Sequence, residues 1–203
     1  MTIKLIGSSS GSVSLQAPAT TTGGANRVIT LPDAADGTVL TTTNPKAGNI
    51  LQVVQTVKTD TFTTQSGSLV DITGLSLSIT PSSTSSKILI NVSFNHSITT
   101  TDRWMQFQLV RDSTAIYLGD TASSRTRASI FTAYTGSNNN VITNSNIVFL
   151  DSPSTTSATT YKLQGACQTD SAPYLVINRS KNDSDANYGG RSASSITAME
   201  VAA

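Results

Sequence analysis

Few side chains in this sequence are equipped for chemistry. His96 is the only histidine, and histidine alone changes charge near neutral pH without help from its surroundings. Serines and carboxylates are plentiful, so a Ser-His-Asp arrangement can be drawn. No Gly-x-Ser-x-Gly elbow sits in the strand–turn–helix setting such a nucleophile needs. His96 follows an alternating strand that would turn it inward. It reads as a packed, hydrogen-bonded histidine or a subunit-interface residue rather than a catalytic base. Asp183-Ser-Asp185-Ala-Asn187 has oxygen spacing suited to Ca²⁺. Its glycine, Gly189, falls one place late and the twelfth position is Ser194, so it reads as an Asx-rich loop and no metal is assigned. Trp104 is the only tryptophan. On an extended strand it shares a face with Gln106 and Gln108, opposite Met105, Phe107 and Leu109. That makes it an outward aromatic, suited to a subunit interface or a glycan surface. Tyr134 with Asn138, Asn139 and Asn140, and Tyr188 with Asp183 and Asp185, are polar-aromatic loop combinations suited to surface recognition. No phosphate loop, Cys/His cluster or dinucleotide fingerprint occurs. No catalytic residue or cofactor is assigned, and the chain is read as a non-enzyme.

The elements that must position these residues are strands. In Lys87-Ile-Leu-Ile-Asn-Val-Ser-Phe-Asn95, Ile88, Ile90, Val92 and Phe94 alternate with polar residues, Leu89 excepted. A period of two in β-branched and aromatic residues marks a strand with one buried face. Similar segments fall near 50–58, 69–72, 75–80, 103–111, 114–119, 127–134, 141–150, 159–167, 173–179 and 193–201, separated by Gly, Pro, Asn and Ser/Thr clusters. No amphipathic helix stands out. About ten short strands imply an all-β antiparallel sandwich or barrel over residues 49–203.

Residues 1–41 have a different character. Short strands at 2–6, 12–16, 27–31 and 38–41 carry few apolar residues each, with Ile3, Leu5, Val13, Leu15, Val28, Ile29 and Leu31 on their faces. So little apolar surface does not make a core by itself. This segment is read as a β-rich attachment and oligomerisation piece, joined by a linker over residues 42–48.

Charge and composition narrow the partners. The net charge is +1 and only 12% of residues are charged, so no broad attraction to nucleic acid or acidic lipid is expected. The only local basic cluster is Arg125, Arg127 and Arg111. A single cysteine, Cys167, excludes an intramolecular disulfide framework. No stretch approaches the ~18 apolar residues of a membrane span, and no signal-like apolar run opens the sequence. Synthesis in a host cytoplasm without membrane insertion is expected. A Ser/Thr-rich, low-charge β surface also suits packing against copies of itself.

Several motifs carry a resemblance. Pro81 followed by Lys87-Ile-Leu-Ile90, Phe107 to Ile116, Gly119-Asp120, Ser124-Arg-Thr-Arg127, Tyr188-Gly-Gly-Arg191 and Ser194 to Val201 resemble a jelly-roll module of bacteriophage virion and tail-fibre-like proteins. Gly7 to Gly11, Thr30-Leu-Pro-Asp33 and Asp36 to Leu40 are similar to a β-rich element that precedes such modules. The resemblance implies a sandwich like those of C1q and tumour necrosis factor, assembled as a homotrimer. It further implies location on the virion and contact with other virion proteins of tail or capsid. Subunit contacts would fall on Leu89, His96 and Trp104. A tail-fibre or receptor-binding role would bind a host surface glycan through distal loops. The alternatives are a capsid decoration (cement) trimer and, third, a polysaccharide depolymerase, for which no acid pair on a groove is evident.

Overall fold

The computed structural model describes residues 2–6, 12–16, 45–135, 140–170 and 174–203, with backbone alone for the first two segments. The chain divides into two units, Met1–Val39 and Leu40–Ala203. In the first, β1 (Thr2–Ile6) and β2 (Ser12–Gln16) pair antiparallel with Ile3 opposite Leu15 and Leu5 opposite Val13. The strands expected at 27–31 and 38–41, and with them Val28, Ile29 and Leu31, lie outside the described residues.

The second unit is an all-β sandwich of a six-stranded and a five-stranded antiparallel sheet. The larger sheet is built on β6 (Lys87–Ile98), whose Ile88, Ile90, Val92 and Phe94 are buried on one face. One side of β6 pairs with β10 (Thr143–Asp151). The other side pairs with two strands in tandem, β13 (Ser194–Val201) and β12 (Leu175–Ile177). Beyond them lie β3 (Ile50–Lys58) and β4 (Phe62–Thr64). The smaller sheet runs β5 (Val70–Ile79), β11 (Thr159–Cys167), β7 (Arg103–Arg111). Its last position is shared by β8 (Thr114–Ile116) and β9 (Ile130–Tyr134), again in tandem along one strand.

The core lies between the sheets. Ile88, Ile90, Val92 and Phe94 meet Met105, Phe107 and Leu109, with Ile72, Leu75, Leu77, Tyr161, Leu163 and Ile196 around them. β5, β6, β7, β10, β11 and β13 present alternate apolar residues to this layer, which is the pleat acting on the pattern, whereas of β3 only Val54 packs against it. Two of the expected strands, 69–72 and 75–80, are one. Ile72 and Leu75 both face inward, three positions apart, so the alternation slips between them. Gly74, at φ 85°, absorbs the slip opposite a register shift between Lys162 and Gln164. Only glycine adopts that φ without strain. The short β4 carries too little pattern to be read from sequence.

Candidate functional site

His96 lies in the core. It is 1% exposed, its ring sits 4.9 Å from Phe107 and 5.4 Å from Phe94 by centroid, and its Nε2 is 2.9 Å from Ser145 Oγ. Nδ1 is buried without a hydrogen-bond partner. The expected packed histidine is therefore found, but the subunit-interface role assigned to it is corrected: a side chain sealed between two sheets of one chain has nothing to offer a neighbour. Burial among aromatics depresses its pKa from 6.5 to about 4, because the charged form loses its hydration. The sign follows. The folded state holds His96 neutral while the unfolded chain protonates it below pH 6.5. Its contribution to stability is whole above pH 6.5 and is lost as the pH falls towards 4, by on the order of 3 kcal/mol. Urea melts at pH 7, 6, 5 and 4 should show that slope, and His96→Leu should flatten it. An unchanged slope in the variant would assign the acid sensitivity elsewhere. Glu200 adds a separate loss at lower pH. Desolvation opposes its ionisation, yet hydrogen bonds from Ser82, Ser86 and Gln52 hold its pKa below the usual 4.5.

A second buried polar group was not anticipated. Asp151, on β10, accepts the Tyr161 hydroxyl at 2.6 Å from β11 and Arg111 Nη1 at 2.8 Å to both carboxylate oxygens from β7. Tyr161 is fully buried. Burial, then the hydrogen bond to Asp151, pushes its pKa upward. These residues hold the two sheets together at one edge.

The outward face of the larger sheet has a distinct chemistry. Register places Val53 opposite Met199, Met199 opposite Leu89, and Leu89 opposite Leu150. This is an apolar row across four strands, ~14 Å long at a strand spacing of ~4.8 Å. Its ends are open, with Val53 58% and Leu150 46% exposed, and Val148, Val57 and Ile50 are exposed nearby. The neighbouring polar side chains are largely satisfied among themselves. Gln55 donates to Thr197 Oγ1 at 2.9 Å, Asn146 to Asn91 Oδ1 at 3.1 Å and Asn144 to Asn95 Oδ1 at 3.2 Å. On these four strands Lys87 is the only charged residue facing outward. Leu89, the residue that broke the sequence alternation, sits in the middle of the row.

The smaller sheet presents a different surface. Trp104 on β7 points outward, as its parity implies, and stacks on Phe131 of β9 with centroids 5.7 Å apart and planes at 25°. Phe131 is 54% exposed. Gln106 lies directly opposite Phe131 and two residues from Trp104 on the same face. Beyond it come Gln108, Gln164 and Asp71, in register across three strands. Asp71 takes hydrogen bonds from Lys162 at 2.8 Å and Gln164 at 2.7 Å, which hold its pKa below the ordinary carboxylate value. Tyr134 ends β9, as the expected 127–134 strand has it, but its surface-recognition role is corrected, because its half-buried ring packs against the core. Asn138 and Asn139 lie outside the described residues, and Asn140 is in an exposed turn.

The 178–194 excursion joins β12 to β13. Its base is fastened: Ser194 Oγ donates to Asn178 Oδ1, Ser192 N donates to Asn178 O at 3.1 Å, and Asn178 Nδ2 donates to Lys58 O at 2.8 Å. At its tip Asp183, Ser184, Asp185, Ala186, Gly189 and Arg191 line a shallow hollow of about 280 Å³. Asp183 is paired with Arg191 at 2.6 Å and lies 3.9 Å from Arg179. Two guanidiniums thus occupy the carboxylate that a cation would need first. Asp185 and Tyr188 are exposed on the same loop.

The second unit is thereby an all-β sandwich with two dissimilar outward faces, one carrying an apolar row among paired amides with Lys87 as its only charge, the other aromatic and amide-rich. No protein-family model matches the chain, and no curated protein matches it. Among solved structures, that of infectious bursal disease virus, Gt strain, is similar at 14% identity and a TM-score of 0.39, over 97% of this chain and 46% of that one. The VP2 subviral particle of infectious bursal disease virus is similar at 14% identity and a TM-score of 0.38, over 94% of this chain and 46% of that one. The chain spans less than half the length of these viral proteins.

Proposed function

We propose that the chain is a structural protein of a bacteriophage virion surface, of the tail-fibre or receptor-binding type, assembled as a homotrimer and without catalytic activity. The sequence motifs that resemble phage fibre modules support the virion setting. The observation that carries self-assembly is the outward face of the larger sheet. Removing the Val53–Met199–Leu89–Leu150 row from water is favourable by ~25 cal/mol per Å². The flanking amides and hydroxyls are already paired, so covering them strands few polar groups. With Lys87 as its only outward charge, this face asks little charge complementarity of a neighbouring copy, which in a closed trimer meets it with a different patch of its own surface. Mass measurement in solution tests this directly: a monomer at micromolar concentration overturns it.

Attachment falls to the first unit, through the paired strands bearing Ile3, Leu5, Val13 and Leu15 and the segment that follows them. Removal of residues 1–48 is expected to leave a folded sandwich, with its far-UV spectrum and melting transition intact, that no longer joins the particle. Normal incorporation of the truncated chain would refute the anchor. Immunogold imaging distinguishes the positions: label at tail tips supports the fibre type, and label over the shell at hundreds of copies supports decoration.

A further inference from the structure

The outward face of the smaller sheet carries a feature that self-assembly does not use. We infer that Trp104, Phe131 and Gln106 form a binding site for a neutral pyranose glycan. This rests on the receptor-binding reading and deepens it, naming a ligand class and moving the contact from the distal loops to a sheet face. Three observations converge. The first is the open stacked pair, with Phe131 more than half exposed. An aromatic platform of this kind offers its faces to the C–H side of a sugar ring, burying apolar area without demanding charge. The second is Gln106. It is 7% exposed, it sits opposite Phe131, and its Oε1 is buried with no hydrogen-bond partner. A buried, unsatisfied carboxamide oxygen costs ~1–3 kcal/mol. The terminal torsion of glutamine is broad and two-fold, so a ligand hydroxyl over the platform can be met by either end of the amide. The third is the adjoining row of Gln108, Gln164 and Asp71, one strand repeat of ~7 Å further along. Its amides and carboxylate suit the vicinal hydroxyls of a second sugar unit. Lys162 pairs with Asp71, so the cation of this row is already engaged and gives an acidic sugar no added attraction. The same ring pair without Gln106 would be ordinary interface packing. The orphaned amide is what favours a ligand rich in hydroxyls.

The intact labelled protein is applied to an array of neutral and acidic pyranosides. The strongest neutral hit is then titrated while following the emission of Trp104, the sole tryptophan. Saturable retention of a neutral glycan with a shift in emission is expected. Phe131→Ala should weaken it at least tenfold. Gln106→Leu should weaken it similarly without lowering the melting temperature, since it removes the unpaired oxygen. Retention of no neutral glycan, retention of acidic glycans alone, or binding undiminished by Phe131→Ala overturns the inference. So does a shift of Trp104 emission on subunit dissociation without sugar, which would make the pair a subunit contact. Immunogold label on particles without glycan retention sinks this inference alone. Retention without label on particles sinks the virion reading alone.

Discussion

Replacing Asp151 with alanine is expected to destabilise the sandwich by about 3–4 kcal/mol, the largest single-residue effect predicted for this fold. The carboxylate serves two donors at once, the Tyr161 hydroxyl at 2.6 Å and the Arg111 guanidinium at 2.8 Å. Without it, Tyr161 keeps a buried hydroxyl that water cannot reach. Arg111 is better placed to recover, because a quarter of its side chain is exposed. The loss should therefore fall mainly on the tyrosine. Tyr161→Phe in the Asp151→Ala background should restore part of the stability, whereas in the native background it should cost about 1 kcal/mol. Urea unfolding of the four proteins closes the cycle. A loss below 1 kcal/mol for Asp151→Ala would mean that the two sheets are not fastened there.

The second large effect concerns assembly. Leu89→Asp places a carboxylate at the centre of the four-strand apolar row, where a neighbouring copy would bury it unpaired. A buried, uncompensated charge costs several kcal/mol, so the proposed trimer is expected to dissociate, with an apparent affinity lowered by a factor on the order of a thousand. The substitution faces outward on β6, so the domain itself should melt close to its native temperature. Analytical ultracentrifugation separates the two readings. A trimer that survives Leu89→Asp at micromolar concentration would move the interface to another face.

Much of the architecture was legible in the sequence because β6, Leu89 apart, and the Met105, Phe107 and Leu109 face of β7 alternate with a period of two. Parity alone sent Ile88, Phe94 and His96 inward and Trp104 outward. Parity does not say what stands across the gap. His96 therefore read equally as core or subunit contact, until the facing Phe107 enclosed it. The Asp151–Tyr161–Arg111 group was missed for the same reason, although a signal existed. Arg111 shares the parity of Leu109, and Asp151 that of Ile147, so two charged residues faced the core at strand ends. Opposite charges in such places have to find each other. Tyr134, at the end of the expected 127–134 strand, was grouped with the asparagines that follow it as a surface recognition residue, a local cue that its packing against the core overrides. The apolar row and the Trp104–Phe131 pair depend on register between strands far apart in sequence, which no single segment encodes.

The fastened base of the 178–194 excursion has a consequence for variation. β12 and β13 lie along the same side of β6, and the chain leaves and returns at adjacent positions held by Asn178, Ser192 and Ser194. What happens beyond that clasp does not alter strand register. Doubling the length of such a segment costs only about 0.6 kcal/mol in closure entropy. The excursion is thus a place where a lineage can exchange tips while keeping its scaffold, and where a foreign peptide can be spliced in for display without rebuilding the sandwich.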